Sequence, residues 1–467
     1  MHYVSTRGAA PTLGFADALL TGLARDGGLY VPRSVPQLPP DAIRALRSLS
    51  YPEAAARIMT PFVDEDFDSA EIKSLSMAAY ADFRHAAVAP LTQIDANLFS
   101  LELFHGPTLA FKDFAMQWLG QTMNRVLRRR SAQATIIGAT SGDTGAAAIE
   151  AFADQSQVEV FILYPQGRVS DVQRRQMTTV NRPNVHAIAI EGAFDDCQRI
   201  VKDLFGDLAR RDEMRLSGVN SITWARILAQ IVYYFVSAVA LGAPERPISF
   251  AVPTGNFGDI LAGYYAKRMG LSIERLIIAT NENDILARTF ASGRYALAEV
   301  KATQSPSMDI QVSSNFERLL FEASHRDPKE VVGQMSALAN EGSFTIPAPA
   351  LARMRADFDA FRVDEPACAE EIGRVYRSSG MIIDPHSAVG VHAARKALVA
   401  SPVTPVVALG TAHPAKFPDA VERATGVRPP LPERLSDLME RKEVIVVLPN
   451  DRRAVADYVR QTVRAAA

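Results

Sequence analysis

Six short apolar runs constrain the fold of this chain more than any other feature. Residues 134–139, 158–164, 185–190, 248–252, 276–279 and 406–409 are dominated by Val, Ile, Leu and Ala. Their length and composition suit parallel strands buried on both faces. Helical patterns at 146–153, 193–208, 223–241 and 260–269 fall between them. This alternation predicts an α/β sheet layered by helices. The first 95 residues have another texture: short helical patterns at 15–24 and 41–48, separated by Pro-rich turns such as Pro36-Gln37-Leu38-Pro39-Pro40. They read as an N-terminal accessory domain, 1–95, without chemistry of its own. A second Pro-rich break, Pro429-Pro430-Leu431-Pro432, divides the core, 96–428, from a C-terminal extension, 429–467, where 443–448 reads as a strand and 452–464 as a helix.

The 467 residues amount to about three domains at roughly 150 residues each. With 48% hydrophobic and 22% charged residues, the chain is neither disordered nor fibrous. Fifty basic and 52 acidic residues are interspersed, for a net charge of -2, so no basic field exists to hold nucleic acid. Arg128-Arg129-Arg130 follows a helical stretch, where cations suit the negative end of the dipole, and reads as structural. Cys197 and Cys368 lie far apart and form no metal-ligand pattern; such sparse usage fits a reducing compartment. Met1-His2-Tyr3-Val4-Ser5 lacks a basic region followed by an apolar stretch, so no signal peptide is expected. No apolar run approaches the ~20 residues that span a bilayer. The expectation is a cytoplasmic protein with no membrane partner.

One lysine is in unusual company. Lys112 stands beside Phe111, two residues before Phe114 and three after Leu109, at the start of an apolar helical pattern. A structural lysine keeps its ammonium in water. Desolvation instead favours the neutral, nucleophilic amine that a Schiff-base lysine requires. The local sequence leaves open a simple salt bridge to an acidic residue.

Two loops suit anions. Pro253-Thr254-Gly255-Asn256-Phe257-Gly258-Asp259 follows the run 248–252 and opens a helix near Ile260. Its glycines admit close backbone approach, and a helix start offers unpaired N–H groups to a phosphate. It matches neither the P-loop nor the dinucleotide pattern, which weakens a nucleotide-binding reading; a plain strand-to-helix turn with Asp259 as dipole partner stays open. The second loop, Gly138-Ala139-Thr140-Ser141-Gly142-Asp143-Thr144-Gly145, supplies hydroxyls and backbone donors suited to a carboxylate or phosphate. Two such loops after strands point to a ligand with two anionic groups, or two ligands sharing one crevice.

Five segments in order, LELFHGPTLAFKDF at 101–114, TSGDTGA at 140–146, PTGNFGD at 253–259, DPHSAVG at 384–390 and GTAHPAKF at 410–417, together with the opening DGGLYVP at 26–32, resemble the threonine synthase family of fold-type II pyridoxal-phosphate enzymes. The resemblance runs over nearly the whole chain. It implies a tryptophan synthase β-like α/β core of two lobes, the smaller at roughly 130–215, behind an additional N-terminal domain. By resemblance, Lys112 bonds pyridoxal 5'-phosphate; Gly255, Asn256, Phe257, Gly258 and Asp259 hold the cofactor phosphate; and Thr411 meets the pyridine nitrogen, where a hydroxyl moderates the ring's electron demand. Thr140, Ser141 and Gly142 take the substrate carboxylate beside the cofactor's 3'-oxygen. Asp143 stands where many relatives carry Asn, and beside a phenolate it has to share a proton or point away. Asn220, Ser221 and Arg226, with Thr144, resemble a substrate-phosphate clamp, since Arg forks onto phosphate oxygens and Ser adds a donor. His386 and His413 read as structural, and Lys416 either attracts an anionic substrate or is a solvated charge.

The implied reaction converts O-phospho-L-homoserine and water to L-threonine and phosphate by γ-elimination and β-addition, the last step of threonine biosynthesis, in a monomer or homodimer. Other readings are a dehydratase or β-replacement enzyme, which has no use for a second phosphate site, and a relative that binds such ligands without turnover.

Overall fold

The computed structural model describes residues 1–218 and 221–466. Apolar strands covered on both faces build its centre. A six-stranded sheet runs in the order Phe358–Arg362, Ile273–Thr280, Ile248–Pro253, Val406–Gly410, Leu98–Glu102 and Leu91–Asp95. Its pairings are parallel except the last, which is antiparallel. Every residue of Ile248–Pro253 and Val406–Gly410 is buried, as strands under helices on both faces require. The smaller lobe is a fully parallel five-stranded sheet, in the order Val446–Leu448, Val185–Ile190, Val158–Pro165, Ala134–Ala139 and Leu216–Ser217.

The sequence expectations differ from the structure at several edges. Leu91–Asp95, placed with the N-terminal part, pairs into the six-stranded sheet. The strand expected at 443–448 is ordered as strand only over Val446–Leu448, because Glu443 instead accepts hydrogen bonds from Arg174 and Thr178. The helix expected at 193–208 stops at Gly206. Asp207 leaves helical geometry and its side chain caps the Arg210 N–H of a new helix, Leu208–Glu213. Among the described residues, no helix is long and apolar enough to cross a membrane.

Two adjacent helices position the chemistry. Lys112 is the first residue of Lys112–Arg129, and Asp143 the first of Asp143–Phe152. They pack closely through Gly120, where a Cβ would lie 2.5 Å from the Ala151 carbonyl oxygen. Phe114, one turn into the first helix, is clamped edge-on by Phe83 at 4.7 Å and by Tyr51 and Tyr233 at 5.5 Å each, ring centre to ring centre. Together these contacts fix where the Lys112 side chain starts. Gly120→Ala would drive a methyl into backbone of the neighbouring helix; it is expected to lower stability by about 1–3 kcal/mol, measured as an earlier denaturant midpoint.

Candidate active site

Lys112 is only 9% exposed. Its Nζ lies 3.4 Å from Asp143 Oδ2 and 5.1 Å from the centre of the Phe111 ring. Burial lowers its proton affinity. Lys416 and Arg226 push the same way, and Asp143 opposes them.

Asp143 is the hub of the site, its carboxylate bound on both oxygens. Oδ1 is 2.8 Å from Lys416 Nζ and accepts from Gln173 Nε2 at 2.8 Å, while Oδ2 faces Lys112 and accepts from the Ser307 hydroxyl at 3.4 Å. Burial alone would raise the carboxyl, but Lys416 and Lys112, helped by the Gln173 amide, hold it well below the usual carboxylate range. The expectation for Lys416 is corrected. The residue is fully enclosed, neither solvated nor open to substrate, and its ammonium also donates to the Thr108 carbonyl at 2.8 Å.

The two histidines serve the frame. His386 Nδ1 donates to Asp384 Oδ2 at 2.7 Å, so Nε2 is free to accept the Ser307 N–H at 3.2 Å. Burial, with the nearby His105, Arg434 and Lys416, pushes His413 down to about 4, and its Nδ1 accepts from the Ala415 N–H.

The loop 254–257 joins the buried strand Ile248–Pro253 to the helix Gly258–Arg268. Phe257, at the start of that helix, takes a left-handed backbone, φ 62°. Gly255 has no room for a side chain: a Cβ would sit 2.9 Å from the Ser307 carbonyl oxygen. The same Ser307 touches Asp143, so the 254–257 loop, the Asp143 loop and Lys112 are brought together. Asp259 is corrected in part. Its carboxylate turns inward to accept from Tyr233 at 2.5 Å and Tyr234 at 3.0 Å, leaving only its backbone to face an anion. Burial raises this carboxyl to about 7 despite the two tyrosine bonds and the charge of Lys112.

In the other loop, Thr140 Oγ1 is committed to its own turn, accepting the N–H groups of Gly142 and Gly145 at 3.0 and 2.9 Å. Gly142, φ 140°, has the Gln173 side chain pressed where a Cβ would project. Ser141 and Thr144 stay partly exposed. Thr411 is held beside Lys112 by the Phe111 N–H to Thr411 carbonyl bond, 2.9 Å, and by the bridge between Ala110 and Ala412. Arg226 is buried, which pushes its guanidinium down to about 10. Ser221 lies against Gly258, and one amide, Asn315 Nδ2, binds the carbonyls of both Ser221 and Asn256 at 3.1 Å. Asn220 lies outside the described residues. Sequence reasoning missed Gln173, Ser307 and Asn315. Each sits in an ordinary polar stretch, and only the fold brings it to the cleft.

The cleft fits pyridoxal phosphate on an observation of its own. The one acid in the phosphate loop turns its charge away, and the side-chain-free Gly255 leaves backbone alone at the cradle. A buried lysine beside that cradle, in two α/β lobes, defines a fold-type II pyridoxal-phosphate-dependent enzyme. Residues 85–352 match the family described as pyridoxal-phosphate dependent enzyme, flanked by matches to the threonine synthase N terminus at 2–80 and threonine synthase, C-terminal at 387–459. The chain is 52% identical to the threonine synthase of Pseudomonas aeruginosa, covering 99% of this chain and 98% of that one. It superposes on the crystal structure of PLP-bound threonine synthase from Brucella melitensis with a TM-score of 0.96 at 58% identity, covering 99% and 100% of the two chains. For the yeast enzyme the TM-score is 0.93 at 41% identity, over 99% of each chain. The chain belongs to the threonine synthase family.

Asp259 makes a measurable pH signature. The folded chain keeps its proton up to about 7, whereas the ordinary carboxyl value is 3.8. Across that window the native state binds the extra proton, so this group's contribution to stability falls as pH rises and levels off above it. Asp259→Asn is expected to remove that decline, seen as a flatter dependence of the urea midpoint on pH than in the wild type.

Proposed function

We propose that this chain converts O-phospho-L-homoserine and water to L-threonine and inorganic phosphate. The observation that carries the reading is the buried Arg226, close enough to bear on the Lys112 amine in a cleft that already has a separate phosphate loop. A second anionic group thus has a partner next to the amine. The names of the similar full-length relatives support the same product.

Bound pyridoxal phosphate supplies an aldehyde carbon for the amine and a conjugated ring that takes up electron density released at the substrate's α-carbon. Lys112 Nζ, held on the rigid start of its helix, takes the proton from Cα, then one from Cβ as the γ-phosphate departs, and returns one at Cγ. Water then adds its hydroxyl at Cβ, and a proton returns to Cα to complete threonine. Burial lowers the proton affinity of this amine, in the direction that repeated transfers need. Arg226, with Ser221 and Asn220, holds the leaving phosphate. Ser141, Gly142 and Thr144 orient the substrate carboxylate, and Thr140 shapes that loop from within. Gly255 to Asp259 would hold the cofactor phosphate through their backbone, and Thr411 would meet the pyridine nitrogen. A cytoplasmic monomer or homodimer completes the reading; the buried free cysteines Cys197 and Cys368 support the reducing compartment.

Phosphate release from O-phosphohomoserine, assayed beside ammonia release from threonine, tests this function; ammonia without phosphate would replace it with a dehydratase. Lys112→Ala is expected to lose the visible absorption of the bound cofactor and about three orders of magnitude or more of turnover. Arg226→Met should lower kcat/KM for O-phosphohomoserine by roughly 10- to 100-fold, the worth of a charged hydrogen bond to phosphate, while the visible band persists.

A further inference from the structure

Lys416 takes no part in the steps above, yet its ammonium is enclosed completely at the floor of the cleft. Its contacts are themselves braced. Its carbonyl partner, Thr108, is pinned by Asp113, which accepts from the Thr108 N–H at 2.8 Å and its hydroxyl at 2.6 Å, and the same carbonyl takes the Gln176 amide at 3.0 Å. Asp143 therefore faces two lysines at unequal range: 2.8 Å to Lys416 and 3.4 Å to Lys112. A carboxylate left alone with Lys112 in so dry a place would hold it as an ammonium, which has no lone pair with which to attack an aldehyde or lift a proton.

We propose that Lys416 is a positioning residue that keeps the Asp143 carboxylate as its own counter-ion, so that Lys112 remains a free amine. The proposal rests on Lys112 being the cofactor lysine. Two effects of Lys416 act together. It draws the carboxylate's charge through the shorter contact, and its own positive charge disfavours a second cation at Lys112. The other charged or titratable groups facing these three are Arg226 and Asp259 toward Lys112, and Asp113 and His413 toward Lys416; Gln173 and Ser307 meet the carboxylate as neutral donors. All of them persist when Lys416 or Asp143 is changed, so variants isolate the pair.

The test follows cofactor capture, not turnover. Full-length protein stripped of cofactor is mixed with pyridoxal phosphate across a pH series. Nζ attacks the aldehyde carbon, a C–N bond forms, the carbonyl oxygen leaves as water, and a visible band grows. Lys416→Met is expected to move the midpoint of the capture rate upward by about one pH unit or more, because Asp143 then pairs with Lys112 alone. Asp143→Asn should move it downward, and Lys416→Met combined with Asp143→Asn should return it close to the wild-type position. An unmoved midpoint in a Lys416→Met protein with a native circular dichroism spectrum overturns the proposal. If that variant does not fold, the other two decide: a midpoint not lowered in Asp143→Asn, or raised in the double variant, overturns it equally. Wild-type protein that captures the cofactor normally but releases no phosphate from O-phosphohomoserine would remove the proposed substrate and leave the midpoint shifts to judge Lys416.

Discussion

A buried carboxylate shared by two lysines is the constraint that the rest of this structure serves. Burying charge is expensive unless every partner is supplied at good geometry. Asp143 draws its partners from distant parts of the chain: Lys112 from the start of an adjacent helix, Gln173 from the helix Asp171–Thr178, Ser307 from the turn Pro306–Met308, and Lys416 from the turn Pro414–Lys416. Close backbone approach at Gly120 and Gly255 lets those segments meet. The large apolar strands form a platform stiff enough to hold them.

The amino-acid pattern reveals the apolar parts of this design more readily than the polar ones. All six expected core strands are present, because a short run of Val and Ile buried on both faces has few other uses. Both anion-suited loops sit between strand and helix as expected. Lys112 stood out because a cation among Leu109, Phe111 and Phe114 violates ordinary burial. The pairing of Lys416 was illegible. Lys416 lies 273 positions beyond Asp143, and nothing in a turn containing Pro414 and Ala415 signals complete enclosure. The inward turn of Asp259 was equally hidden, since its tyrosine partners occupy the buried helix Trp224–Ala240, where Tyr233 and Tyr234 look like apolar filling.

The N-terminal residues, which read as chemically inert, brace the cleft from behind. Thr6 and Arg7 bind Glu317, the carboxylate lying 2.6 and 2.9 Å from their donors. The next residue, Arg318, is wholly buried and donates to the carbonyls of Tyr30 and Ile222 and to the side chain of Asn315. Asn315 in turn holds the carbonyls of Ser221 and Asn256. The N-terminal segment is thereby tied, through Arg318 and Asn315, to both Ser221 and the loop 254–257. Rigid support of this kind is what a precisely spaced site needs.

The order of strands in the six-stranded sheet has a consequence for how the molecule comes into being. Val406–Gly410 lies between Ile248–Pro253 and Leu98–Glu102. The middle of the sheet is thus the last of its strands to leave the ribosome, and its neighbours must wait, unpaired on one side, for a segment translated long after them. Thr411, the residue that follows, reaches Phe111 only when that insertion is complete. Nascent chains of this topology spend synthesis with two apolar edges exposed, which favours slow maturation and a need for chaperone cover. The surroundings of Lys112 are therefore complete only after this late strand has taken its place.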